Sequence, residues 1–141
     1  MEIQEITDIK ADAEYWVTLV DDDLHCFSDA EQVKQIIIGL HGQGLIQKYE
    51  LPDRKGIMVF AVTPDFRGGL SLNEVFMYIK PEYRGNIRLF KQLIDYVETY
   101  ARVHNIPSVR LASNIGYDDD KVLRVLQHWG YKTDAVVKYM R

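Results

Sequence analysis

Cysteine is nearly missing from this sequence: Cys26 stands alone among 141 residues, so no intramolecular disulfide forms and stability must come from a core. A chain of this size buries roughly two-thirds of its unfolded surface, enough for one domain, 1–141, without disulfides or structural metal. The four histidines (His25, His41, His104 and His128) are scattered, with neither HExxH nor zinc-finger spacing, and no metal is expected. No apolar run approaches the roughly 18 residues that cross a bilayer. The opening MEIQEITDIK lacks the basic flank and apolar stretch of a signal peptide, so the expected location is cytoplasmic, with no membrane partner. The phosphate-binding patterns G-x-x-x-x-G-K-[ST] and G-x-G-x-x-G are also lacking.

Charge is present but divided. Residues 1–70 carry six Lys or Arg against thirteen Asp or Glu, and residues 71–141 carry eleven against eight, giving −7 and +3 for a net −4. A nucleic-acid partner is disfavoured, because such proteins present a net basic face. The split suits a protein that handles an anion with one half and a cation with the other.

Periodicity sets out the elements. MEIQEIT alternates as an opening strand, and Ala11 to Leu19 reads as a short helix. Ser28 and Glu31 form an S-x-x-E capping box ahead of Val33, Ile36, Ile37 and Leu40, which predicts a helix from about Asp29 to Gly39, stopped by Gly39, Gly42 and Gly44. Leu45 to Leu51 and Ile57 to Val62 read as antiparallel strands around turn residues 52–56. Leu70 to Ile79, apolar on both faces at VFMYI, must be a central strand, ended by Pro81. Ile87, Phe90, Leu93, Ile94, Val97 and Ala101 share one face of a helix over Ile87 to His104. Ser108 to Ala112 then makes a strand–helix–strand crossover, hence a parallel pair. Asp118 to Asp120 open a helix through His128, Gly130 caps it, and Tyr131 to Met140 supplies a last strand.

The most informative segment is MYIKPEYRGNIR, residues 77–88, where a buried strand runs through a glycine-containing turn into a helix N-terminus. Amides without intrahelical acceptors, the helix dipole and the donors of Arg84 and Arg88 together suit a phosphate ester.

Residues 70–141, with strand, Pro-Glu-Tyr-Arg-Gly turn, helix, strand, helix ending in Gly130-Tyr131 and final strand, resemble the GCN5-related N-acetyltransferases (GNAT). The resemblance implies a mixed, mostly antiparallel α/β sheet with a splayed parallel strand pair and flanking helices, acetyl-CoA lying between Leu70–Ile79 and Ser108–Ala112. It further implies that Met77 and Ile79 offer main-chain groups to the pantetheine arm and acetyl carbonyl, with Tyr78 between them among the cofactor-binding residues. Arg84, Gly85, Asn86, Ile87, Arg88 and Leu89 would cradle the pyrophosphate, and Asn114 and Asp119 would fall near pantetheine-contacting positions. Ile87 and Leu89 stand where the family pattern has glycine, so their side chains are expected to point into the core. Leu126 stands where the family commonly has a tyrosine acid, which excludes that residue from acid catalysis.

Glu74, on the central strand before the turn, stands about where the family often carries a carboxylate base, and the resemblance makes it the candidate general base, acting through water. The acids Glu14, Asp21, Asp22 and Asp23 flank a predicted helix beside Tyr15 and Trp16, and are the candidate acceptor-binding set, with the aromatic rings covering a ligand's methylenes. The expected function is acetyl transfer from acetyl-CoA to a primary amine by direct attack in a ternary complex. The acceptor would be a cationic small-molecule amine or a basic protein segment, and a homodimer is left open. The alternative is a non-catalytic module of the same fold that binds a protein or acyl-CoA.

Overall fold

A computed structural model describes residues 2–112 and 119–133. The elements in chain order are β1 (Gln4–Glu5), α1 (Ile9–Leu24), α2 (Ala30–Gly42), β2 (Gln47–Glu50), β3 (Gly56–Pro64), β4 (Leu70–Ile79), α3 (Ile87–Val103), β5 (Ser108–Arg110) and α4 (Asp119–His128). The strands form one sheet in the order β1-β2-β3-β4-β5, antiparallel except for the parallel β4–β5 pair. This is the mixed sheet expected from the sequence. Of the expected last strand, Tyr131 to Thr133 carry no strand and the remainder lies outside the described residues.

Two helices differ from their predicted bounds. The first is longer than Ala11–Leu19 because Asp8 caps it, its carboxylate accepting from the Ala11 N–H at 3.3 Å. It also runs on through three aspartates that the helix dipole disfavours at a C-terminus, held by the burial of Trp16, Val17 and Val20. The second is capped by Asp29 rather than Ser28: the Asp29 carboxylate accepts from the Gln32 N–H at 3.0 Å, so the expected Ser28–Glu31 box does not form. It passes through Gly39 and ends at Gly42, because the apolar stripe of Val33, Ile37 and Leu40 packs against the sheet and outweighs the glycine's low propensity.

Apolar residues gather on both faces of the sheet. Trp16, Val17 and Val20 of α1 and Ile37 of α2 pack on Ile57, Val59, Phe76 and Tyr78. On the other face Leu93, Ile94, Val97 and Ala101 of α3 and Leu126 of α4 pack on Met58, Phe60, Leu72, Met77 and Ile79. Side chains alternate along a strand, so Leu72 and Met77 share a face only because β4 carries a bulge: Val59 pairs with Phe76 and Phe60 with Glu74, leaving Val75 as the extra residue. The bulge re-aims everything that follows it.

Candidate active site

The site begins where two strands part. The parallel pairing of β4 and β5 runs only from Ser71–Ser108 to Asn73–Arg110. From Glu74 to Ile79, β4 remains paired to β3, but among the described residues no strand covers its other edge. A strand's N–H and C=O groups point alternately to its two sides, so this open edge offers main-chain donors and acceptors to an extended guest. Met77 and Ile79 present their groups to it, whereas those of Tyr78 face β3, on the side where Lys80 donates to Lys55. The Ile79 carbonyl already accepts from Arg84 Nε at 3.0 Å, which leaves it one lone pair.

Glu74 stands at the fork. Cross-strand partners share a face, so its pairing with the fully buried Phe60 points its side chain toward the α3–α4 side. Burial pushes its carboxyl up to about 8, against which the Ala112 N–H, donating to it from just beyond β5, acts weakly. A carboxyl poised in that range takes up protons near neutral pH, as a general base requires.

Beyond β4 the chain turns through Pro81–Tyr83 into α3. Most amides of this turn are spoken for: Tyr83 donates to Lys80, Arg84 to Pro81, Asn86 to Tyr83 and Leu89 to Asn86, while the Asn86 side chain accepts from the Arg88 N–H at 3.1 Å. Among the described residues, the N–H groups of Gly85 and Ile87 have no protein acceptor. They sit beside a small cavity of about 80 Å³ lined by Arg84, Gly85, Ile87, Phe90, Lys121 and Val125. Two vacant amides, a helix N-terminus and the cations Arg84 and Lys121 fit an anionic group. Of the six residues expected to form the cradle, Gly85 and Ile87 offer these amides and Arg84 its guanidinium.

The glycine of the turn has no conformational role, and one expectation fails. Gly85 has no positive φ, and a Cβ on it would meet nothing within 4 Å, so this position does not require glycine. Ile87 is 50% exposed rather than turned into the core, because it lines the small cavity; Leu89 does pack against the α3-side core. Asp119 is the first residue of α4, and Asn114 lies outside the described residues. Leu126 is buried in the core.

On the opposite face an open cavity of about 660 Å³ lies between α1 and the end of β4, and it collects most of the expected acceptor set: Glu14, Tyr15, Asp22 and Asp23 line it. Thr18, Tyr78, Lys80 and Glu82 join them. The i, i+4 spacing of Glu14, Thr18 and Asp22 is the sequence signal that marks their common stripe. Four acids against one lysine make the cavity electronegative. Glu14 is held below its ordinary range by the Lys34 ammonium at 2.9 Å.

Trp16 and Asp21 do not belong to this cavity. Trp16 is 1% exposed and its Nε1 donates to Glu50 at 2.9 Å, so its ring is core. Asp21 accepts from the Phe27 N–H at 3.4 Å and so stabilises the turn after α1. Tyr15 lies on the wall, its ring faced by Lys80 Nζ at 5.2 Å and the Arg54 guanidinium at 4.4 Å. Nor does Glu74 line the cavity: it lies on the other face, four residues before Tyr78 along β4.

One cluster joins the two sites. The Asp23 carboxylate accepts from Tyr78 Oη at 2.7 Å and Arg84 Nη2 at 2.5 Å, and the guanidinium lies 5.0 Å from the Tyr78 ring centroid. Burial pushes the Asp23 carboxyl up, but these two donors together hold it below the usual carboxylate range. Among the described residues no group of three metal-ligating side chains occurs, and no helix is long and apolar enough to cross a membrane.

No protein-family model matches the chain, and no curated protein matches it in sequence. Solved structures do. An acetyltransferase of Trypanosoma brucei is 17% identical with a TM-score of 0.73, covering 99% of this chain and 98% of its own. The structure of AAC(6')-Iy in complex with the bisubstrate analogue CoA-S-monomethyl-acetylneamine is 16% identical, TM-score 0.73, covering 99% and 97%. A predicted acetyltransferase from Clostridium acetobutylicum with acetyl-CoA is 15% identical, TM-score 0.72, covering 99% and 95%. The parted parallel strands, the bulged central strand and these neighbours together establish that the chain has the GCN5-related N-acetyltransferase fold.

Proposed function

We propose that the protein is an N-acetyltransferase that moves an acetyl group from acetyl-CoA to a primary amine by direct attack in a ternary complex. The observation that carries this reading is the fork between β4 and β5, where an open strand edge, a carboxyl poised near neutrality and an anion-binding turn follow one another along a single strand. Structural neighbours bound to acetyl-CoA and to a CoA–amine conjugate support it.

In this reading Gly85 and Ile87 donate to the pyrophosphate, with Arg84 and Lys121 beside it, and the Met77–Ile79 edge holds the extended arm. A main-chain N–H of that edge faces the acetyl carbonyl oxygen and stabilises the charge that develops there. Holding amine and thioester side by side removes much of the entropic barrier. Glu74 takes the proton of the attacking ammonium, through water, across a gap that no described strand closes. The acidic cavity draws the acceptor, which is therefore a cationic small-molecule amine or a basic protein segment.

Calorimetric titration with acetyl-CoA tests the reading. Binding in the micromolar range that weakens with salt supports it, since screening acts on the ionic pyrophosphate contacts. Absence of binding overturns it. Binding with no turnover on any amine points instead to a non-catalytic acyl-CoA-binding module, a reading that Leu126 in place of a tyrosine acid favours.

A further inference from the structure

Arg84 lies between the two sites. It lines the small cavity beside Gly85 and Ile87, yet its Nη2 is committed to Asp23, which lines the large acidic cavity on the other face. We propose that Asp23 and the anionic end of the donor compete for Arg84, and that Asp23, uncovered when Arg84 leaves, sets the acceptor cavity's preference for cations. The inference rests on the acetyl-CoA reading above and extends it to the coupling of the two cavities.

Three features of the cluster favour exchange over a static bridge. A pyrophosphate offers the guanidinium a bidentate, charge-assisted partner with more negative charge than one carboxylate, and the vacant N–H groups of Gly85 and Ile87 reinforce it. Asp23 is not stranded by the loss, because Tyr78 Oη continues to donate to it at 2.7 Å. Arg84 also already lines the donor-side cavity, so the exchange turns only the end of its side chain, which releases the Ile79 carbonyl together with Asp23. Before the donor binds, the Asp23 charge is spent on Arg84 and the acidic cavity is weakened. After it binds, that charge faces the acceptor. A cation therefore binds better to the donor complex than to the empty protein, and by linkage the donor binds better when a cation is present.

The sign of one substitution separates competition from its opposite, in which Asp23 holds Arg84 ready for the phosphate. CoA itself, which cannot react, is titrated calorimetrically into the wild type, Asp23→Asn, Asp23→Ser, Arg84→Gln and the Asp23→Asn/Arg84→Gln double variant. Competition predicts that both Asp23 variants bind CoA about threefold or more tightly than wild type, and that the gain vanishes when Arg84 is already Gln. Equal or weaker binding by the Asp23 variants overturns the proposal, as does an equal gain with and without Arg84, which would mark general charge reduction. A CoA-bound crystal structure with Arg84 Nη2 still on Asp23 overturns it too. If the wild type binds no CoA, the acetyl-CoA reading itself fails; if it binds CoA but the Asp23 variants gain nothing, only the exchange fails.

Discussion

Replacing Glu74 by Gln should stabilise the protein and inactivate it at once, which no purely structural role for this residue predicts. The Glu74 carboxyl titrates at about 8 in the folded chain against 4.5 as the ordinary value. Between those values the unfolded chain has released the proton and the folded chain has kept it, so the unfolded state binds fewer protons and stability falls as pH rises. At about 1.4 kcal/mol per pKa unit, the full penalty is about 5 kcal/mol, reached above pH 8 and nearly gone below pH 4.5. Gln keeps the shape and an oxygen that accepts the Ala112 N–H, and has no proton to lose. Urea unfolding of both proteins at about pH 5 and about pH 9 should show the variant gaining about 4 kcal/mol more over wild type at the alkaline end. Activity should move the other way. Wild-type turnover should climb with pH and level off near 8 as the base ionises, whereas Gln should lower it about 100-fold or more and flatten the climb, with acetyl-CoA affinity unchanged. A stability difference independent of pH would refute the burial argument, and full activity of the variant from about pH 6 to 9 would make Glu74 structural.

The anion-binding turn predicts that Arg84→Glu, which sets a second carboxylate beside Asp23, weakens acetyl-CoA binding about tenfold or more at low salt by calorimetry, while unchanged affinity would remove the cradle. Glu14→Gln with Asp22→Asn should raise the Michaelis constant for a cationic acceptor several-fold and leave that for acetyl-CoA alone, because both acids line the acceptor cavity and Asp23, the acid paired with Arg84, is kept. Gly39→Ala should stabilise the protein by about 0.5–1 kcal/mol in thermal unfolding, since a Cβ there meets nothing within 4 Å in a helix interior. Gly56→Ala should cost about 1–3 kcal/mol in the same assay, because its Cβ would lie 2.8 Å from the Tyr78 carbonyl oxygen and 2.9 Å from Leu51 Cδ1.

Strong local patterns were readable from the chain. Leu70–Ile79 could be bounded because an apolar-faced run is closed by glycines on one side and Pro81 on the other, and α3 because its apolar residues keep helical spacing for about four turns. The helix starts and stops are harder to read, since Asp8 caps α1 ahead of its apolar residues, Asp29 takes the place of Ser28 as the cap of α2, and tertiary packing carries α2 through Gly39. Nothing in the residues announces the bulge at Val75, which has no glycine to mark it, although it decides which side chains meet α3. The acidic cavity was half legible: its acids lie close together in the chain, but Tyr78, Lys80 and Glu82 arrive from β4 and the turn beyond, which only the fold brings alongside α1. The Asp23–Arg84 pair spans 61 residues and leaves no local signature.

The account turns on whether the fork between β4 and β5 carries out acetyl transfer. Thiol release from acetyl-CoA, followed with a panel of cationic, neutral and acidic primary amines, measures that directly. The account predicts release that depends on a cationic amine, rises with pH toward about 8 and collapses in Glu74→Gln. Tight acetyl-CoA binding with no amine-dependent release, or a best acceptor that is acidic, would contradict it.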